Sequence, residues 1–414
     1  MLARKLRLFQ IVSKIKDSRV LMRVDFNVPM KNGKITDLTR VNSTLDSINL
    51  VRNSGAKSIV LMSHLGRPDG KAASKYSLAP IVPELSKLLG SQVDFLPDCV
   101  GSDVEKYCAN PKPGSIILLE NLRFHIEEEG SVKKEDGTKI KADAGKVAEF
   151  RKSLTSLGDI FVNDAFGTAH RAHSSMVGVN LPIRAAGLLM AKELQYFSRV
   201  LENPKRPLLV IMGGAKVKDK IQLINNLIDK CDEMIIGGGM AFTFKKQLEG
   251  YGIGKSIYDA DGAAIVPQIM KHAQEKGVKI HLPVDFLCGN NTEENCSVQL
   301  AESSIPEGWL GLDIGPKSIE QFSKVIAKSS TLVWNGPPGM FENKNFRKGS
   351  EEFFKAISSR NDLVSIVGGG DTASFVQNMG EQSSKISHIS TGGGASLELL
   401  EGKQLPGIIA LSDS

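Results

Sequence analysis

The sequence predicts an α/β protein in which a doubly wound parallel sheet is built twice. Three observations predict it. Short continuous runs rich in Val, Ile and Leu recur along the 414 residues, and such runs suit strands buried on both faces of a parallel sheet. Longer stretches with helical period lie between them. Glycine, 40 residues in all, gathers in runs directly after several apolar segments, where a strand would hand over to a helix.

In the first half the strand candidates are 20–24, 59–62, 116–119 and 160–162. In the second half they are 208–212, 234–236, 279–282, 331–334, 363–367 and 386–389. Helical stretches between them include 147–157, 216–229, 263–274 and 319–326. This alternation is the pattern of α/β domains. One stretch, 185–201, is long and largely apolar and is closed by Asn203-Pro204. Its place near the midpoint reads as a helix joining two domains; the alternative is an ordinary packed helix inside one domain. Segment 127–137 (EEEGSVKKEDG) is charged and turn-rich and predicts a solvent loop without function.

At 41% hydrophobic, the chain is long enough for two domains of about 200 residues, each with a core. Net charge is +6 but uneven. Residues 1–200 carry 30 Lys+Arg against 21 Asp+Glu, and the remainder 22 against 25. A basic half suits an anionic ligand, or is simply a solvated basic surface. Five cysteines are scattered without zinc-like spacing, which points to a reducing compartment. The first sixteen residues are basic, a mild likeness to a transit peptide, but a strand candidate follows directly. No apolar stretch reaches 18 residues. The expected compartment is the cytoplasm, with no membrane partner.

The chemistry gathers where strands end, which is where open parallel sheets bind ligands. In the second half four glycine runs follow strand candidates: Gly213-Gly214, Gly237-Gly238-Gly239, Gly368-Gly369-Gly370 and Gly392-Gly393-Gly394. Glycine permits close backbone approach, and a following helix offers free N–H groups and a positive dipole end to phosphate. No Walker P-loop, protein-kinase motif or dinucleotide fingerprint is present. Lys216 and Lys220, four apart at a predicted helix start, would share a face, with Lys218 rotated about 200° away. Asp371 closes a triple-glycine loop, as a Mg²⁺ ligand beside phosphates or as a helix N-cap.

The strand ends of the first half are different. They carry Asp25 and Asn27, His64 and Arg67, Arg123, and His170 and Arg171. Arginine forks bind carboxylate and phosphate through paired hydrogen bonds, which fits a small, multiply anionic substrate. His170 and His173 lack an evident third metal ligand.

The segments RVDFNVP, SHLGRP, ENLRF, VNDAFGTAHRAHSS, GGAKVKDKIQL, IIGGGMAFTF, WNGPPGMFE, GGGDTA and STGGGASLELLEGK together resemble the phosphoglycerate kinase family, in order, from about residue 18 to 411. The resemblance implies two Rossmann-like domains joined by a long helix. Residues 1–185 would bind 3-phosphoglycerate, with 406–414 folding back onto them. Residues 186–202 would form the helix, and 203–405 would bind MgATP or MgADP. It implies a substrate site of Asp25, Asn27, Arg40, His64, Arg67, Arg123, His170 and Arg171. Its nucleotide site is Gly214, Lys216, Lys220, Gly238, Gly311, Asn335, Glu342, Gly369, Gly370, Asp371 and Thr372. Arg40, Lys216, Gly393 and Gly394 would serve the transferred phosphoryl group, and Asp371 would ligate Mg²⁺.

The implied reaction is reversible transfer between 1,3-bisphosphoglycerate and ADP, direct and in line after domain closure, by a monomer that binds no nucleic acid. Two departures from the family pattern stand out: Pro338 in WNGPPG, and Ala186 in place of a common glycine at the start of the joining helix. Lys218 adds a charge often absent. The competing functions are a nicotinamide-dependent oxidoreductase on the same fold and a non-catalytic nucleotide- or nucleic-acid-binding protein.

Overall fold

The apolar runs become the strands of two six-stranded sheets in which every neighbouring pair is parallel. The computed structural model describes residues 2–134 and 136–414. The chain divides into two units, one holding residues up to Gln195 together with Gln404–Ser414, the other Tyr196–Lys403. Among the described residues no helix is long and apolar enough to cross a membrane.

In the first unit the strands are β1 (Arg19–Arg23), β2 (Ser58–Met62), β3 (Val93–Leu96), β4 (Ser115–Leu119), β5 (Ile160–Asn163) and β6 (Arg184–Ala186). Their spatial order is β6-β5-β1-β2-β4-β3. Alternate side chains serve two cores, as the strand period of two requires. Val20, Met22, Ile59, Leu61, Ile116 and Leu118 face one cluster with Ile48, Val51 and Leu85. Leu21, Val60, Ile117, Leu119 and Phe161 face another with Phe150 and Leu154. Leu8, Ile11 and Ile15 from the basic leading segment are buried in the first cluster, so that segment is part of the folded unit.

The C-terminal residues clasp the same unit. Lys5 Nζ pairs with Asp413 at 2.8 Å, and the backbone N–H of Gly407 donates to the Ala169 carbonyl at 2.9 Å.

The second unit holds β7 (Leu208–Met212), β8 (Glu233–Ile236), β9 (Lys279–His281), β10 (Phe286–Gly289), β11 (Val298–Ala301), β12 (Leu310–Ile314), β13 (Thr331–Asn335), β14 (Val364–Gly368) and β15 (His388–Ile389). The parallel order is β9-β8-β7-β13-β14-β15, the doubly wound order with its switch point between β7 and β13. β11-β10-β12 form a separate antiparallel sheet. It packs on the helix Gly238–Glu249 through Phe242, with Tyr251, Phe286 and Ile305.

Several expectations need correction. The helix expected over 185–201 is Leu188–Leu201. Ala186 lies in β6 instead, because Arg184–Ala186 pair with β5 and the Ala186 N–H donates to the Leu6 carbonyl at 2.8 Å. The helix start is fixed by Ser47, whose Oγ accepts from Leu188 N–H at 2.8 Å, and by Asp164, which accepts from Met190 N–H at 3.1 Å. The helix runs across the boundary between the units.

The loop expected over 127–137 contains the end of a helical turn, Ile126–Glu129, and one arm of a hairpin, Ser131–Lys133 with Lys139–Lys141; residue 135 lies outside the described residues. The antiparallel sheet and β3 escaped detection because their strands alternate or carry polar residues, as in VQLA and VDFL.

Candidate active site

In the first unit the loops after β1, β2, β4 and β5 bring the Arg/His set to the C-terminal ends of four adjacent strands. Arg40, from the helical turn Thr39–Asn42, donates to Asp25 Oδ2 at 2.5 Å and remains half exposed. Asp25 also accepts the Asn27 N–H at 3.2 Å, and Asn27 Oδ1 accepts from Gly66 N–H at 2.8 Å. The Gly66 carbonyl accepts from Arg123 Nη1 at 2.8 Å. Arg67 and Arg171 are exposed and act on Arg123 as like charges. His170 acts in the same way on His173. Each of the eight expected substrate residues is thus coupled to another of the set or to its support.

The electrostatics follow from burial. His64 is 5% exposed, and its imidazole is pushed well below its usual range by burial and then by Arg23, Arg123, His173 and Arg40. His173 is lowered to about 3, by burial and then by Arg123, Arg23 and Arg171. Both rings are therefore neutral at pH 7. The charge of the pocket is carried by Arg40, Arg67, Arg123 and Arg171. Arg40 is paired with Asp25 and Arg123 with Glu129, and the exposed Arg67 and Arg171 beside them suit an added anion.

Three supporting residues were missed. Glu129 Oε1 lies 3.3 Å from Arg123 Nε as an ion pair without hydrogen-bond alignment. Glu128 is 1% exposed and accepts from the Ser175 hydroxyl at 2.6 Å. Both glutamates belong to the segment read as solvent loop. The available signal was their place directly after ENLRFH, next in sequence to a pocket short of negative charge. Arg23, inside the run 20–24 and the motif RVDFNVP but outside the expected site set, is fully buried.

In the second unit three of the four glycine runs gather about the switch point between β7 and β13. A Cβ on Gly213 would lie 2.2 Å from the Pro337 carbonyl oxygen, and one on Gly336 would lie 2.3 Å from the Gly213 oxygen. Only glycine lets these two backbones touch. Lys220 Nζ donates to the Gly213 carbonyl at 2.6 Å and to Asn335 Oδ1 at 2.8 Å. Burial lowers its ammonium to about 8, against the favourable charge of Asp371. Thr372 Oγ1 accepts from Gly336 N–H at 2.8 Å, Gly369 packs on the Asn335 amide, and Gly214 packs on the Lys220 stem. Gly238 donates its N–H to the Pro338 carbonyl at 3.1 Å, so this proline keeps a role its missing N–H does not affect.

The structure corrects two local readings here. Lys216 is not on the helix with Lys220. The helix is Ile221–Ile228, preceded by the tight turn Lys218–Lys220, because Val217 is buried and Lys218 N–H is held by Asp259 at 2.8 Å. Lys216 therefore sits exposed in the loop, where its charge is felt by Asp259. Asp371 is not an N-cap: Gly369 holds that position, and Asp371 is exposed in the first turn of Gly370–Gln377.

The remaining expected residues lie farther out. Gly311 is buried in the antiparallel sheet against the Phe242 ring, and Glu342 is exposed beyond Met340, whose N–H donates to the Leu312 carbonyl. Gly393 caps the short helix Gly394–Leu400 after the edge strand β15, and a Cβ there would meet nothing within 4 Å. Among the described residues the one grouping of three possible metal ligands is Asp98, Cys99 and His125 in the first unit. Its members are already satisfied. His125 and Asp98 are hydrogen-bonded at 2.7 Å, and burial pushes the Cys99 thiol well up, so it stays protonated.

Comparison with known proteins bears on the family and the fold. The family model described as phosphoglycerate kinase matches residues 11–403. The chain is 59% identical over 417 residues to a phosphoglycerate kinase of Euplotes crassus, covering 100% of both chains. It is 58% identical over 406 residues to phosphoglycerate kinase 2 of Mus musculus, covering 96% and 97%. Among solved structures, the phosphoglycerate kinase of Coxiella burnetii superposes with a TM-score of 0.85 at 38% identity, over 96% of each chain. That of Pyrococcus horikoshii gives 0.74 at 30% identity, over 98% of each. With two parallel-sheet domains, an arginine-lined site on one and a glycine-lined site on the other, the chain belongs to the phosphoglycerate kinase family.

Proposed function

We propose that this chain transfers a phosphoryl group reversibly between 1,3-bisphosphoglycerate and ADP, giving 3-phosphoglycerate and ATP, in glycolysis. One observation carries the reading: a single chain gathers an arginine cluster and a set of glycine loops, each at the C-terminal strand ends of its own parallel sheet. The first unit takes the phosphoglycerate. Arg40, Arg67, Arg123 and Arg171 supply forks to carboxylate and phosphate, while Asp25 orients Arg40. Asn27, His64 and His170 add polar contacts. The second unit takes the nucleotide. Lys220 meets its phosphates beside Gly214, Gly238, Asn335, Gly369, Gly370 and Thr372, and Gly311 and Glu342 lie toward the nucleoside.

A lone exposed carboxylate beside phosphate-binding groups is the donor set that suits Mg²⁺, which keeps several waters and shares phosphate oxygens. Asp371 fits that description and would hold the ion. When bound, Mg²⁺ supplies charge neutralisation to the phosphoryl oxygens. The protein's own part is positioning and charge. Arg40, Lys216 and the N–H groups of Gly393 and Gly394 would steady the moving phosphoryl group in a direct, in-line transfer after domain closure, with no phospho-enzyme. We place the enzyme in the cytoplasm as a monomer; five free thiols, four of them buried, support a reducing compartment.

Neither the oxidoreductase nor the non-catalytic alternative finds support in the site. The test is ATP formation from 1,3-bisphosphoglycerate and ADP in a coupled assay, repeated with GDP. ATP production dependent on Mg²⁺ is expected. No turnover with either nucleotide would overturn the reading.

A further inference from the structure

Beneath the arginine pocket of the first unit runs a buried polar chain. Arg23, at the end of β1, is fully buried. Its Nε donates to Ser175 Oγ at 2.8 Å and its Nη1 to the Val24 carbonyl at 2.5 Å. Its Nη2 lies 3.0 Å from His64 Nδ1. The Ser175 hydroxyl, having accepted from Arg23, donates to Glu128 Oε1 at 2.6 Å, and the Ser175 N–H donates to Oε2 at 2.9 Å. A buried cation and a buried anion therefore share one hydroxyl.

The direction of donation is forced. A guanidinium has five N–H donors and no acceptor. His64 Nδ1 must then accept, which makes the ring neutral and puts its hydrogen on Nε2, on the side away from Arg23. We propose that Glu128, acting through Ser175 and Arg23, is a positioning residue that holds His64 as the neutral Nε2–H tautomer and so presents one uncharged donor to the anionic substrate. This rests on the reading of the first unit as the phosphoglycerate domain. The charged and titratable groups facing His64 are Arg23, Arg40, Arg123 and His173, and all of them oppose a positive charge on the ring. Glu128 and Asp25 are the acids that offset Arg23.

The arrangement has a use. The pocket already gathers four exposed or half-buried arginines, so another cation would add self-repulsion. A fixed neutral donor keeps its hydrogen bond at any pH where an ordinary histidine, titrating near about 6.5, would change state. Removing the hydroxyl leaves a buried guanidinium N–H and a buried carboxylate oxygen without a partner, which frees Arg23 to move.

The experiment is nitrogen NMR of the full chain labelled with ¹⁵N-histidine, with His64 assigned by His64→Gln. Wild-type His64 is expected as Nε2–H, with no titration between about pH 5 and 8. Ser175→Ala is expected to lose that single tautomer and to raise the KM for 3-phosphoglycerate about tenfold, the size of one lost charged hydrogen bond, with the KM for ATP unchanged. A wild-type His64 that carries its hydrogen on Nδ1, or titrates near its ordinary value, overturns the proposal. So does Ser175→Ala with an unaltered His64 signal. Should Ser175→Ala not fold, the wild-type spectrum decides. The spectrum needs no turnover, so a chain with the fixed tautomer but no phosphoryl transfer would sink the kinase reading and leave the positioning chain standing.

Discussion

On the proposed reading the two units hold phosphate with opposite materials on the same kind of sheet. The first uses long side chains: Arg40, Arg67, Arg123 and Arg171 stand on loops after four strands, with Asp25, Glu128 and Glu129 as their acidic neighbours. The second uses backbone: Gly213 and Gly336 touch at the switch point, and one lysine, Lys220, lies folded over them. The contrast teaches where specificity comes from. Arginine forks match the fixed geometry of a small acid with a carboxylate at one end and phosphate at the other. Backbone N–H groups and a single point charge match a flexible phosphate chain whose identity is read elsewhere on the nucleotide.

That comparison can be broken at several points. The largest effect is expected at Arg40, the half-exposed fork. Arg40→Ala should lower kcat by about 10³–10⁵-fold, the range of a charge-stabilising arginine, while ATP affinity stays level. A loss below about tenfold in the coupled assay would remove Arg40 from the transfer. Next is Asp371→Ala, which should weaken Mg-nucleotide binding by about tenfold to a hundredfold and spare 3-phosphoglycerate. Calorimetry with each ligand separates these; equal weakening of both would end the division of labour.

Gly213→Ala tests the backbone contact. Its Cβ would stand 2.2 Å from the Pro337 oxygen, so a loss of about 1–3 kcal/mol in denaturant unfolding is expected, as for overpacking a tight site. An unchanged midpoint would show that the loops can part without cost. The smallest effect is a proton count. Burial holds Lys220 at about 8 in the free chain. A phosphate chain favours the ammonium and raises that value, so binding at pH 8 should take up about half a proton. Near pH 6.5 the lysine is already charged and uptake by it should vanish. Calorimetry in buffers of different ionisation enthalpy reads both, and pH-independent uptake would remove Lys220 from the phosphate site.

Much of this molecule was legible in advance, for identifiable reasons. The central strands announced themselves because a strand buried on both faces must be apolar along its length, as IVLM (59–62) and LLVIM are. The edge strands β3 and β6 and the antiparallel strands did not, because Val298–Ala301 and Arg184–Ala186 have a wet face or only three residues, whereas the edge strands β9 and β15 fall within the predicted runs 279–282 and 386–389. The Arg/His set was legible through motifs at strand ends. Its acidic support was not: Glu128 and Glu129 sit in a run of charges whose pattern is that of a surface loop, and only the packing of a short helical turn buries Glu128 and partly covers Glu129. Lys216 and Lys220 illustrate the same limit. Four-residue spacing implies a shared face only if the helix has begun, and Asp259, distant in sequence, delays its start.

By itself the sequence determined the two parallel sheets, the ligand-bearing ends of their strands and the residue types gathered there. These follow from local rules: burial writes itself as continuous apolarity, and close backbone approach as glycine. Tertiary structure alone decided which charges are paired and which are free, where the joining helix starts, and that His64 is neutral. Protonation depends on what surrounds a group from every side, and most of the neighbours that set it for His64 are brought there only by the fold.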